Sequence, residues 1–141
     1  MTLLDTMLIV YARTSDSPFH DWAIEQIAAA VVGEGAGVNA VSLAELSAEE
    51  GMDIGIIARA VNGFGVQILD VPARAAGCCG EAYRAYHRKR KAESGKDAPR
   101  MPLPDFFIGA HAETENWQLA TNDPQRFRNY FPRVKLITPE T

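Results

Sequence analysis

Four acidic residues stand at the ends of short apolar stretches: Asp5 after Leu3-Leu4, Glu45 after Val41-Ser42-Leu43-Ala44, Asp105 ahead of Phe106-Phe107-Ile108, and Asp123 after Leu119-Ala120-Thr121-Asn122. Crowded carboxylates repel and raise one another's pKa, so such a group is costly unless a hard cation neutralises it. The layout suggests a metal-binding nuclease site, provided the fold brings the four ends together. Plainer readings exist for three of them. Asp105 after Pro104 resembles a helix N-cap, Asp123 before Pro124 a capped turn, and Glu45 in a first helical turn an offset to the helix dipole. Asp5 is harder to dismiss, because an unpaired charge at the tip of a central, partly buried strand is expensive.

The elements that must position these residues follow from apolar periodicity. Leu3-Leu4 opens a strand, and the apolar run through Tyr11 is too long for one exposed strand, so it passes into a buried helix with Asp5 at the junction. Ser17-Pro18 starts a helix that Gly33-Glu34-Gly35 ends. A strand over 37–41 leads into a helix capped near Ser42 that carries Glu45 in its first turn and runs towards Gly51. A helix near 54–62 precedes a strand at 66–69. Asp70 and Pro72 start another helix, whose apolar face (Val71, Ala75, Cys78, Ala82, Tyr86) dissolves after His87 into a basic stretch and a loop at 93–104. Pro104-Asp105 opens a helix reaching about Asn116. Its small residues Gly109 and Ala112, on the Asp105 face, allow a close approach to the sheet. Short strands at 118–121 and 134–137 flank a brief helix at 124–130. Strands alternating with helices predict an α/β fold of three α/β/α layers around a short, mainly parallel central sheet of four to five strands. Such a fold returns every strand to the same edge, where carboxylates at strand ends converge in one crevice.

The chain of 141 residues is about one domain long, and residues 1–141 are read as a single domain. No run approaches the roughly 18 apolar residues of a membrane span and no basic segment precedes the first apolar stretch, so a cytoplasmic protein with no membrane partner is expected. Cys78 and Cys79 are adjacent, without CxxC or His spacing, and read as buried free thiols in a helix. The net charge of −4 is uneven: residues 1–83 hold 11 Asp/Glu against 3 Lys/Arg, whereas residues 84–100 hold 7 Lys/Arg against 2 Asp/Glu. The basic segment, with Arg88-Lys89-Arg90-Lys91, Lys96 and Arg100, suits a polyanion backbone or a solvated helix end equally well.

Leu3-Leu4-Asp5-Thr6, Val41-Ser42-Leu43-Ala44-Glu45-Leu46, the run Leu103-Pro104-Asp105 to Ala112, and Ala120-Thr121-Asn122-Asp123-Pro124-Gln125-Arg126-Phe127 resemble the successive motifs of PIN-domain ribonucleases, specifically VapC-type toxins of bacterial toxin–antitoxin pairs. The resemblance spans Leu3 to Pro139 and implies a single PIN domain with a PIN-like fold. It implies a metal-dependent endoribonuclease in which Asp5, Glu45, Asp105 and Asp123 hold Mg²⁺, or Mn²⁺, and water attacks an RNA phosphodiester. Thr6 and Thr121 are candidates for a hydrogen bond to a metal-bound water or a phosphate oxygen. The implied partners are an RNA substrate, a cognate VapB-type antitoxin and a second copy in a homodimer. The family often has a small polar residue two places after the first Asp, where this chain has Met7.

Other residues carry weaker signals. His20, His87 and His111 have no mutual metal or dyad spacing and read as packing or surface residues. Ser42 and Ser47 lack a partner base, Glu49 reads as part of a solvated face, and Trp22 and Trp117 as core or interface. Arg126 and Arg128 suit either RNA phosphates or charge balance for the acidic cluster. Two other functional classes share the architecture. A catalytically silent RNA-binding or protein-interaction PIN domain calls for a broken carboxylate set, and here it is intact. A phosphotransfer domain calls for further acids near Asp5, and none is present.

Overall fold

Leu3 and Leu4 are both fully buried in strand β1 (Thr2–Leu4), and because successive side chains point to opposite faces, the strand must be covered on both sides. The computed structural model describes residues 1–51, 53–92 and 101–139, with β1 at the centre of a sheet. Its other described strands are β2 (Ala36–Asn39), β3 (Gln67–Leu69), β4 (Gln118–Ala120) and β5 (Leu136–Ile137), all paired in parallel in the order β3-β2-β1-β4-β5. Parallel neighbours need crossovers, and helices supply them. Helices α1 (Thr6–Ala12) and α2 (His20–Val32) join β1 to β2, and α3 (Ala40–Glu50) and α4 (Ile54–Gly63) join β2 to β3. Helices α5 (Ala76–Ala92) and α6 (Leu103–Glu115) join β3 to β4, and α7 (Pro124–Arg128) joins β4 to β5.

Each sheet face carries its own core. Leu3 and Leu119 pack with Cys79, Ala82 and Tyr86 of α5, Phe106 and Ile108 of α6, Phe127 and Phe131. Leu4 and Ala120, one residue along, pack on the other side with Leu8 and Ile9 of α1, Ile27 of α2, Leu46 of α3, and Ile57 and Val61 of α4. This is the expected three-layer α/β/α arrangement, with five strands. The chain leaves β1 towards β2 and β3 on one side and reaches β4 and β5 on the other. The crevice beyond the carboxyl ends of β1 and β4, where the order reverses, is therefore the place such folds offer a ligand.

Several element boundaries differ from the sequence reading. The cap of α3 is Asn39, whose side chain accepts the Ser42 N–H, so α3 starts earlier and Glu45 lies in its second turn rather than its first. The helix expected after Asp70 begins with a 3₁₀ turn at Ala73–Ala75 before α5. The loop expected at 93–104 lies outside the described residues up to Arg100, as do Lys96 and Arg100 of the basic segment. Beyond it, Met101 is buried and donates its N–H to the Tyr86 hydroxyl at 2.9 Å, and α6 is already under way at Leu103. At Gly109 the close neighbour is not the sheet but Phe131: a Cβ there would lie 2.4 Å from that ring, so only glycine admits it.

The two thiols sit in α5, with Cys79 buried and Cys78 half-buried. The Cys78 thiol donates to Glu113 Oε2 at 2.6 Å; burial first, and the neighbouring carboxylate after it, push its pKa up to about 12. A thiol so far above neutral pH stays protonated and is a poor nucleophile. No helix of the described residues is long and apolar enough to cross a membrane.

Candidate active site

Asp5 follows β1 directly and caps α1, where extended backbone (φ −63°, ψ 149°) lets its Oδ1 accept the Thr6 N–H at 2.8 Å. The Thr121 hydroxyl, from the end of the neighbouring strand β4, donates to Oδ2 at 2.8 Å. Asp5 is buried, and burial raises its pKa above the ordinary carboxylate value. The two hydrogen bonds and the Arg126 charge offset this in part, while Asp123 adds to it. Thr121 Oγ1 also accepts the N–H of Asp123 at 3.0 Å, so one fully buried hydroxyl ties together the ends that carry Asp5 and Asp123.

Thr6 positions the second acid. Its Oγ1 stands 2.8 Å from Glu45 Oε1 and 2.9 Å from Ser42 Oγ. A hydroxyl has one proton to give, so Thr6 donates to the carboxylate and the serine donates to Thr6. Ser42 in turn belongs to a chain that runs back across the fold: Asn39 Oδ1 accepts its N–H at 3.0 Å, and Asn39 Nδ2 lies 3.2 Å from His111 Nδ1 on α6. An amide NH₂ only donates, so His111 accepts there and is neutral. Its pKa is lowered, by burial first and by the Arg74 charge second. Glu45 is half-buried and raised above its usual value, chiefly by that burial, with Asp5 and Glu49 adding repulsion.

Asp105 is not a helix cap. Helix α6 begins at Leu103 behind Pro102, which leaves the Asp105 carboxylate inside the first turn, buried and aimed at the strand ends. Burial pushes its pKa up to about 6; the Arg126 charge pulls it back, and Asp5 and Glu45 push it up again. Asp123 makes no side-chain cap bond to α7 either. Its Oδ2 instead lies 2.8 Å from Arg126 Nε, while Arg126 Nη1 lies 2.7 Å from Asp105 Oδ2. Of the two roles open to Arg126 in the sequence, the structure places it in charge balance.

Asp5, Thr6, Glu45, Asp105 and Asp123 all line one cleft of about 380 Å³, together with Met7, Tyr11, Glu49, Pro102, Asn122 and Arg126. Asn122 donates to the Tyr11 hydroxyl at 2.7 Å on its rim. Thr121 does not line the cleft but supports Asp5 from beneath. The donor set is all oxygen, which suits a hard cation. Among the described residues, however, no three or more His, Cys, Asp or Glu side chains are grouped so as to hold a metal ion. The guanidinium of Arg126 is the positive charge between Asp105 and Asp123.

Three residues that build this site have no functional role in the sequence reading: Ser42, which lacks a partner base there, His111, which reads as packing, and Asn39. Asn39 carries a usable signal, an Asx residue just ahead of an apolar helix. The Thr6–Ser42 and Asn39–His111 contacts span 36 and 72 residues and have none.

The fold has close counterparts among solved structures. The VapBC2 complex of Rickettsia felis bound to a promoter DNA fragment superimposes with a TM-score of 0.72 at 20% identity, covering 97% of this chain and 97% of that one. DNA-bound VapBC from Salmonella typhimurium gives 0.67 at 18%, covering 97% and 96%. VapC20 of Mycobacterium tuberculosis, a sarcin–ricin loop cleaving toxin, gives 0.64 at 16%, covering 96% and 99%. At such identities the likeness speaks for the fold alone. A comparison with curated protein sequences found no match. The profile of the PIN domain, by contrast, matches residues 2–131, from the first residue of β1 to the Phe131 ring that seals α6. The match runs over nearly the whole chain, and the protein is a member of the PIN domain family.

Proposed function

We propose that this PIN domain, read as a single domain over residues 1–141, is a metal-dependent endoribonuclease, cytoplasmic and acting as the toxin of a VapBC-type toxin–antitoxin module. The observation that carries this reading is the meeting of Asp5, Glu45, Asp105 and Asp123 along one cleft at the switch point of the sheet. PIN domains are in general nucleases, and the structural counterparts from Rickettsia felis and Salmonella typhimurium are VapBC complexes, which supports a VapB-type antitoxin as partner. A homodimer is the oligomeric state we expect of it.

The four carboxylates are the proposed holders of Mg²⁺, or Mn²⁺ in its place. Magnesium keeps several waters and uses one or two carboxylates directly, so it does not need three protein ligands grouped in advance. When bound, the ion supplies a more acidic water and charge neutralisation at the phosphodiester. Thr121 holds Asp5 and Thr6 holds Glu45 in place for it. The Glu45 carboxylate, half open to the cleft and fixed by the Thr6 hydroxyl, is placed to hold the ion or a water on it.

The exposed Arg84, Arg88, Lys89 and Lys91 of α5 are proposed to meet the RNA backbone; Arg90 is more constrained, with its guanidinium 5.7 Å over the Tyr86 ring. Neutralising Arg88, Lys89, Arg90 and Lys91 together should flatten the dependence of RNA affinity on salt by about 0.7 log units per log unit of salt for each phosphate these side chains neutralise. An unchanged slope would leave these residues as a solvated helix end.

One observation favours the runner-up, a catalytically silent RNA-binding or protein-interaction PIN domain: Arg126 already neutralises part of the acidic cleft. Removing metal separates the two. The purified protein should cut single-stranded RNA internally in Mg²⁺ or Mn²⁺, stop in EDTA and resume when metal is restored. RNA binding without internal cleavage in either metal would support the silent reading, and cleavage indifferent to EDTA would remove the metal from the chemistry.

A further inference from the structure

Among the described residues lining the cleft, Arg126 is the one cation against five acids, Asp5, Glu45, Glu49, Asp105 and Asp123. Its planar fork is divided between two of them, Nη1 on Asp105 Oδ2 at 2.7 Å and Nε on Asp123 Oδ2 at 2.8 Å. The two pairs differ in what they contribute. The Asp123 side chain is 46% exposed, where water screens an ion pair and little net stability results. The Asp105 side chain is 6% exposed, and a carboxylate so poorly hydrated is costly when unpaired. Arg126 itself is 40% exposed, so its head can exchange the carboxylates for water without crossing the core. A guanidinium on two carboxylates takes up the oxygen lone pairs and the negative charge that a divalent ion would need.

We infer that Arg126 is the internal counter-cation of the metal-free cleft and that it competes with the divalent ion for Asp105 and Asp123, releasing them when the ion binds. The inference rests on the metal-dependent reading of the cleft proposed above and adds a regulatory element to it. The apparent metal affinity is then set by the cost of displacing Arg126 as well as by the carboxylates. An arginine acting only as a scaffold for those carboxylates has the opposite consequence, since its removal would loosen them and weaken metal binding.

Calorimetric titration of Mn²⁺ into the full chain distinguishes the two. Arg126→Gln keeps a polar side chain but removes the charge, and Arg128→Gln, an exposed arginine two residues on, controls for the loss of one positive charge. We expect Arg126→Gln to bind Mn²⁺ more tightly by about 5–150-fold, the range typical of coupling between ligands, and Arg128→Gln to stay within about twofold of the unaltered protein. Thermal unfolding gives the reciprocal readout: metal-free Arg126→Gln melts below the unaltered protein, and its gain on saturation with Mn²⁺ is larger. Should Arg126→Gln fail to fold, Arg126→Lys, whose point charge cannot fork between two carboxylates, should show a smaller gain in the same direction. Equal or weaker Mn²⁺ binding by the Arg126 variants overturns the inference while leaving the metal site standing. No Mn²⁺ binding by any of the proteins overturns the metal site and the inference with it.

Discussion

Asp105→Asn folds, gains up to about 3 kcal/mol of stability at neutral pH without metal, and loses at least about a hundredfold in RNA cleavage, the upper end of what losing even an outer partner of a metal ligand costs. The stability gain follows from a pKa of about 6 against the ordinary 3.8, caused first by burial and only partly offset by Arg126. Each unit of difference corresponds to about 1.36 kcal/mol. The folded-state value lies above the unfolded one, so between them the folded chain keeps a proton that the unfolded chain has released. Stability from this group therefore rises as pH falls from about 6 to 3.8, and its penalty is complete above about 6. Asparagine has no charge to desolvate and escapes the penalty. Denaturant unfolding in EDTA should show the advantage of the variant at about pH 7 and its disappearance at about pH 4; a difference independent of pH would mean that Asp105 is not a desolvated charge. Bound Mg²⁺ favours the ionised carboxylate, so in Mg²⁺ cleavage by the unaltered protein should persist to a lower pH than the metal-free value of about 6. Wild-type cleavage by Asp105→Asn would remove this residue from the chemistry.

Phe106→Ala destabilises the chain by about 3–5 kcal/mol, the usual cost of truncating a buried aromatic that cannot be replaced by collapse. The ring is fully buried and has Tyr83 and Tyr86 of α5 at 5.1 and 5.3 Å, Tyr130 at 5.5 Å and Phe131 at 6.2 Å between centroids. It thus joins α5, α6 and the segment after α7, three parts of one wall. Phe106 is also the residue after Asp105, so a looser α6 no longer holds that carboxylate against the strand ends. Phe106→Leu keeps most of the volume and should cost under half as much. Unfolding in urea measures both; a loss under about 1 kcal/mol for alanine would show that the neighbouring rings close the cavity.

Local pattern carried much of this protein. The apolar tips of β1 and β4, the strand-to-helix junction at Asp5 and the alternation of strands with helices are encoded within a few residues of one another, and they determined a parallel three-layer fold with acids at one edge. The tie of Leu3 to one core and Leu4 to the other follows from the two-residue period of a strand. Motif resemblance added the family. Tertiary structure decided what no local window contains. Asp105 and Asp123 read equally well as caps until α6 proved to begin at Leu103 and Asp123 proved to bond Arg126. Arg126 stands only three residues from Asp123, but its hold on Asp105, 21 residues away, depends on where α6 docks. The Asn39–His111 and Thr6–Ser42 contacts likewise join residues whose pairing depends on three elements packing at once. The physical reason is that periodicity reports which side of an element is buried, whereas hydrogen bonds and charge pairs depend on what the packed elements bring within about 3 Å.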